Sequence, residues 1–142
     1  PLWGRFSADG LPLGDIAMVR LREAVPATIQ PARIQTRATR VNESLVMVGY
    51  GMTGNGVQGA VAGTDAVKHF GVMKIEHVTP TMIVWRFDAN DRYSTTHGDS
   101  GGPSFNANGE IAAITQGGVA VDVVGLLRAS EMFVGILAAT ST

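Results

Sequence analysis

Cysteine is missing from all 142 residues. The chain therefore has no thiol nucleophile, no disulfide framework and no cysteine-held zinc. A domain of this size does not need disulfides, so their absence is neutral about compartment. A dominant charge is missing too: 11 Lys and Arg face 12 Asp and Glu, for a net charge of −1. That balance gives no electrostatic footprint for nucleic acid or an anionic membrane surface. No run of 18 apolar residues occurs, which excludes a membrane-spanning helix. Pro1-Leu2-Trp3-Gly4-Arg5 lacks the basic and apolar regions of a signal peptide and contains no Met. The expectation is that residue 1 is not a natural beginning. Histidine is scarce: His69, His77 and His97 are the three, and none precedes residue 69.

Apolar residues make up 45% of the chain, which suits a folded globular domain and argues against disorder. Turn signals divide short apolar runs, the pattern of an all-β barrel or sandwich. Residues 1–14 read as a loop. Strands are expected at Ile16–Leu21, Leu45–Tyr50, Val67–Val78 (bent at Gly71), Thr81–Phe87 and Glu110–Thr115, the last ending at Gly117-Gly118. A continuation runs from Val119 towards Arg128. Residues 23–40 read as an exposed connector, residues 53–56 as a turn and 57–66 as a loop. Ser130 is positioned to cap a final helix from Glu131 to about Ala139.

One stretch carries chemistry: His97-Gly98-Asp99-Ser100-Gly101-Gly102-Pro103. Its glycines let the backbone bend sharply and let a substrate approach the main chain. Ser100 is its one hydroxyl. A serine becomes a useful nucleophile when a base takes its proton and N–H donors hold the developing oxyanion. The N–H groups of Gly98 and Ser100 can supply those donors. By itself the pattern also suits a Gly-rich turn between two strands. It matches G-x-S-x-G, but the nucleophile elbow of that motif needs a following helix and a later histidine. Here Pro103–Gly109 reads as a short strand and hairpin turn, and no His follows Ser100.

The chain resembles the chymotrypsin/trypsin-like serine endopeptidase family. Gly98-Asp99-Ser100-Gly101-Gly102-Pro103 is similar to the family's G-D-S-G-G-P hexapeptide at every position. Gly14-Asp15-Ile16-Ala17-Met18-Val19-Arg20-Leu21 resembles its D-I-A-L-L-R-L stretch, which carries an acid of the triad. Val48-Gly49-Tyr50-Gly51 resembles the G-W-G opening of its second barrel, and Leu127-Arg128-Ala129-Ser130 the start of its C-terminal helix. One half-cystine of the family normally lies four residues before the nucleophile; Thr96 stands there.

The resemblance implies the second antiparallel six-stranded Greek-key barrel of a double-barrel fold, at 37–142, with a C-terminal helix. Residues 1–36 would be a remnant of the first barrel and the connector. It implies Ser100 as nucleophile, Asp15 orienting the catalytic imidazole, and an oxyanion hole at Gly98 and Ser100. Asp15 alone would read as a strand-end or turn aspartate. Asp99 would pair with the α-amino group made by zymogen cleavage; otherwise it is a turn carboxylate taking backbone N–H bonds. Ser94 falls at the substrate-pocket floor and Gly117 and Gly118 at its wall, a neutral pocket for apolar or aromatic side chains. Gln116-Gly117-Gly118 departs from the family's S-W-G.

The family order is His, Asp, Ser, and no His precedes Asp15. His69 and His77 read as exposed or half-buried strand residues, and His97 as bordering the substrate groove. The expectation is a C-terminal part of a serine endopeptidase, inactive without a His-bearing segment supplied in cis or by another chain. The substrates are peptides or proteins, with no cofactor, metal, nucleic acid or membrane partner. The resemblance implies a secreted or periplasmic location. The alternative is a protease-like module that keeps the groove for binding without catalysis.

Overall fold

The computed structural model describes residues 5–6, 12–13, 16–55, 59–86, 95–121 and 130–137. The chain divides into two units, Pro1–Pro31 and Ala32–Thr142. Among the described residues there is no helix, and none long and apolar enough to cross a membrane.

In the first unit, β1 (Arg5–Phe6) and β2 (Pro12–Leu13) form a two-residue antiparallel ladder where a loop was expected. The expected strand at Ile16–Leu21 pairs with nothing among the described residues, and its side chains are exposed, Met18 at 98%. An apolar run becomes a strand only when a neighbour takes its backbone N–H and C=O groups. Asp15 lies outside the described residues.

The second unit is built on one sheet. Its strands are β3 (Ser44–Gly49), β6 (His69–Lys74), β7 (His77–Val78), β8 (Met82–Arg86), β9 (Pro103–Phe105), β10 (Ile111–Val121) and β11 (Ser130–Leu137), in the order β6-β3-β9-β10-β11-β8-β7. Separate from it, β4 (Gly54–Asn55) pairs with β5 (Gly59–Ala60) where a turn and loop were expected. Neighbours in the large sheet are antiparallel.

The segment expected as one strand, 67–78, breaks at Ile75–Glu76 rather than bending at Gly71. Ile75 donates its N–H to Glu43 O (2.9 Å) and accepts from Asn42 N–H (2.8 Å), on the β3 side. Glu76 donates to Val84 O (2.9 Å), on the β8 side. The two edge strands of the sheet are thus joined through two residues that hydrogen-bond in opposite directions. Among the described residues the sheet has seven strands where six were expected, the split contributing one of them.

The C-terminal expectation is also corrected. Ser130–Leu137 is strand β11, laddered to β10 on one side and β8 on the other. Ser130 and Glu131 imitate a helix start. Phe133, Val134 and Ile136 favour a strand and Gly135 weakens a helix, so two waiting partners decide the outcome. Likewise β10 runs through Gly117-Gly118 instead of ending there.

Alternation sets the core. Leu45 and Met47 of β3, Met73 of β6, Ile83 and Trp85 of β8, Ala112 and Ala113 of β10, and Ile75 are buried together. Part of the connector is also held down by polar contacts. Asn106 Nδ2 donates to Gln35 Oε1 (2.7 Å) and Glu110 Oε2 (2.9 Å), and Gln35 Nε2 donates to Thr39 Oγ1 (2.9 Å). Gln35, Thr39 and Asn106 are buried. Gln35 N–H also reaches Ile111 O, anchoring this segment on β10. Buried polar groups need such partners. A connector read as exposed from its polarity is here partly interior.

Two tests follow from this packing. Trp85 is fully buried, so Trp85→Ala should cost about 3–5 kcal/mol in urea unfolding. At the surface, Arg37 donates to Glu43, which raises the Arg37 pKa and holds the Glu43 carboxyl below its usual range. Arg37 is half exposed, so Arg37→Ala should cost less than about 1 kcal/mol near neutral pH. Because the folded carboxyl is depressed, this contribution exists above the unfolded carboxyl's value of about 4 and disappears as pH falls through the lowered one. Unfolding curves of both proteins should converge in acid.

Candidate functional site

The turn between residue 95 and β9 is held by its backbone and by the side chains of Thr96 and Asp99. Gly101 donates to Thr115 O (2.7 Å), Thr115 donates back to Gly102 O (2.9 Å), and Met52 donates to His97 O (2.9 Å). Thr96 Oγ1 donates to the Met52 carbonyl. Gly98 has φ +97° and Gly101 φ +82°, a region where glycine is strongly favoured. A Cβ on Gly98 would also come within 2.9 Å of Gly51 Cα. These two glycines fold the chain so that Asp99 points inward and Ser100 outward.

Asp99 is buried, at 5% exposure. Its Oδ1 accepts Gly51 N–H (2.8 Å) and its Oδ2 accepts Thr96 N–H (2.8 Å). The carboxylate occupies space that side chains at 49 and 51 would fill. A Cβ on Gly49 would lie 1.9 Å from Asp99 Oδ1, and one on Gly51 2.6 Å from Asp99 Cγ. A third group faces it: His69 Nε2 is 3.6 Å from Asp99 Oδ1. His69 pairs with Gly49 across the β3–β6 ladder, and Met73, four residues on, pairs with Leu45 and is buried. The strand period of two therefore puts His69 on the core-facing row.

Ser100 is exposed, and its Oγ lies 3.5 Å from Gln116 O. The β10–β11 register shifts between Thr115 and Gly117, a bulge beside the serine of the kind that re-aims backbone groups at sites. Among the described residues, the N–H groups of Gly98 and Ser100 meet no acceptor. Two free donors beside an exposed hydroxyl can hold a developing oxyanion.

Of the residues singled out from sequence, Gly98, Asp99, Ser100 and Gly101 lie together in this turn. Gly117 stands on β10, and a Cβ there would meet nothing within 4 Å among the described residues. Gly118 follows it on the same strand. Asp15 and Ser94 lie outside the described residues. His77 is exposed on β7 and His97 is exposed in the turn. Among the described residues no group of three or more His, Asp or Glu could hold a metal ion.

Three features of the site were not anticipated: the glycine cradle at 49 and 51, His69 beside Asp99, and the Gln116 carbonyl beside Ser100. The first two had a signal. Gly49-Tyr50-Gly51 ends a strand with two side chains omitted, and His69 is in phase with Met73. Nothing local marks the bulge.

The cradle predicts a contrast. Gly49→Ala should lose roughly 1–3 kcal/mol in urea unfolding, because Asp99 must move. Gly117→Ala should stay within about 0.5 kcal/mol of the parent.

A protein-family model described as Trypsin matches residues 4–126. No curated protein matches the chain.

Proposed function

The chain belongs to the trypsin family, and from that premise we propose that it is the C-terminal part of a serine endopeptidase acting through Ser100. The observation that carries this reading is the Ser100 turn. An exposed hydroxyl stands beside two N–H groups without acceptors among the described residues, on a loop tied inward by a buried carboxylate.

In the reaction, Ser100 Oγ attacks the peptide carbonyl carbon while an imidazole takes its proton. The N–H groups of Gly98 and Ser100 hold the oxyanion. The C–N bond breaks as the proton passes to the leaving amine, and water then hydrolyses the acyl ester to free Ser100. Asp15 orients the imidazole and stabilises its cation. The imidazole comes from a segment outside these 142 residues, in cis or as a separate chain, and without it the chain is inactive. Asp99 acts as the inward anchor of the turn.

The substrate pocket is bounded by Ser94 at its floor and by Gly117 and Gly118 at its wall. The open space around Gly117 supports room for a large side chain, and a serine floor favours apolar or aromatic ones. Residues 37–142 form the second barrel, a six-stranded Greek key closed through the split 69–78 strand, and 1–36 belong to the first barrel and connector. The location is secreted or periplasmic. The alternative is a protease-like binding module that keeps the groove for recognition without catalysis.

A fluorophosphonate probe should leave Ser100 of this chain unlabelled and label it in protein carrying the upstream segment, with Ser100→Ala abolishing the label. Failure to label that longer protein, with its fold intact, would favour the binding module. Where labelling succeeds, peptides with Phe, Tyr or Leu before the scissile bond should be cleaved with higher kcat/KM than those with Arg or Lys.

A further inference from the structure

We propose that His69 is a positioning residue: its imidazole is the internal partner of the buried Asp99 carboxylate and holds the turn that presents Ser100. A row of positions faces inward across β3 and β6. Leu45 faces Met73, Met47 faces Gly71, and Gly49 faces His69. At that end of the row Gly49 supplies no side chain. The Asp99 carboxylate enters the space from the Ser100 turn, and His69 closes over it.

Both ring nitrogens of His69 face acceptors. Nδ1 lies 2.9 Å from the Val67 carbonyl, and Nε2 lies 3.6 Å from Asp99 Oδ1. A carbonyl and an ionised carboxylate can only accept. A ring N–H is therefore the group that suits either contact. Burying a carboxylate is costly unless it is paired and hydrogen-bonded. The two N–H groups of Gly51 and Thr96 supply the hydrogen bonds, and the His69 ring stands 3.6 Å from Oδ1. Because Asp99 precedes Ser100 directly, what fixes the carboxylate also fixes the hydroxyl and the N–H donors beside it. Asp99 so held would not depend on an α-amino group made by chain cleavage.

The contact stands on the geometry alone; its consequence for Ser100 rests on the endopeptidase reading. The test separates the two. Amide hydrogen exchange at Gly51 and Thr96, the donors to Asp99, reports the anchor. Expected outcomes are at least tenfold faster exchange in His69→Gln, recovery to within about threefold of the parent in His69→Arg, and less than a twofold effect of His69→Gln added to Asp99→Asn. Unchanged exchange in His69→Gln overturns the proposal. So does an equal effect of His69→Gln with and without Asp99→Asn, which would mean that His69 acts through something other than the carboxylate. Fluorophosphonate labelling of Ser100, in protein carrying the upstream segment, reads the consequence, and its rate should fall at least tenfold in His69→Gln and recover in His69→Arg. If exchange responds as expected but the parent protein is never labelled, the pair stands and the endopeptidase reading falls. If the parent is labelled and His69→Gln changes neither readout, the endopeptidase reading stands and the role of His69 falls.

Discussion

A carboxylate buried where two side chains are omitted is the constraint on which the site depends. Asp99 has nowhere to go unless positions 49 and 51 are glycine, since a Cβ at Gly49 would sit 1.9 Å from its oxygen. It is stable there because each oxygen takes a backbone N–H and an imidazole stands beside it. The neighbouring residue is then turned outward, so Ser100 is exposed while Asp99 is buried. One inward anchor thus orients an outward nucleophile. The positive φ values of Gly98 and Gly101 provide the bends that this reversal requires.

The sheet makes the constraint possible. β3 ends at Gly49, and β6 begins opposite it at His69, so the end of that ladder is an open notch lined by core-facing positions. β9 and β10 carry the turn to the notch, and bonds between the turn and Thr115 lock it on the far side. The bulge at Gln116 then points a carbonyl at Ser100 Oγ. Three segments distant in sequence, near residues 50, 70 and 100, meet at one carboxylate.

Much of this was legible beforehand. Short apolar runs bounded by turn signals identified β3, β8 and the first half of β10, because a strand buried in a sheet leaves such a run in the sequence. The hexapeptide around Ser100 was unmistakable, since its glycines are demanded by backbone geometry. Composition misled where burial and polarity part company. Gln35, Thr39 and Asn106 are polar and buried, because they satisfy one another and the backbone nearby. It misled again at Ser130–Leu137, where cap-like residues precede a run that ladders on two sides.

By itself the sequence determined the all-β character, the Ser100 turn and the glycines that bend it, because each follows from local sterics or from short apolar runs cut by turn signals. Only the tertiary structure decided that His69 stands beside Asp99, that the 67–78 segment splits at Ile75–Glu76, and that residues 130–137 form a strand. Those outcomes turn on which backbone groups find partners far along the chain. Hydrogen bonds between distant segments leave no mark in the residues nearby.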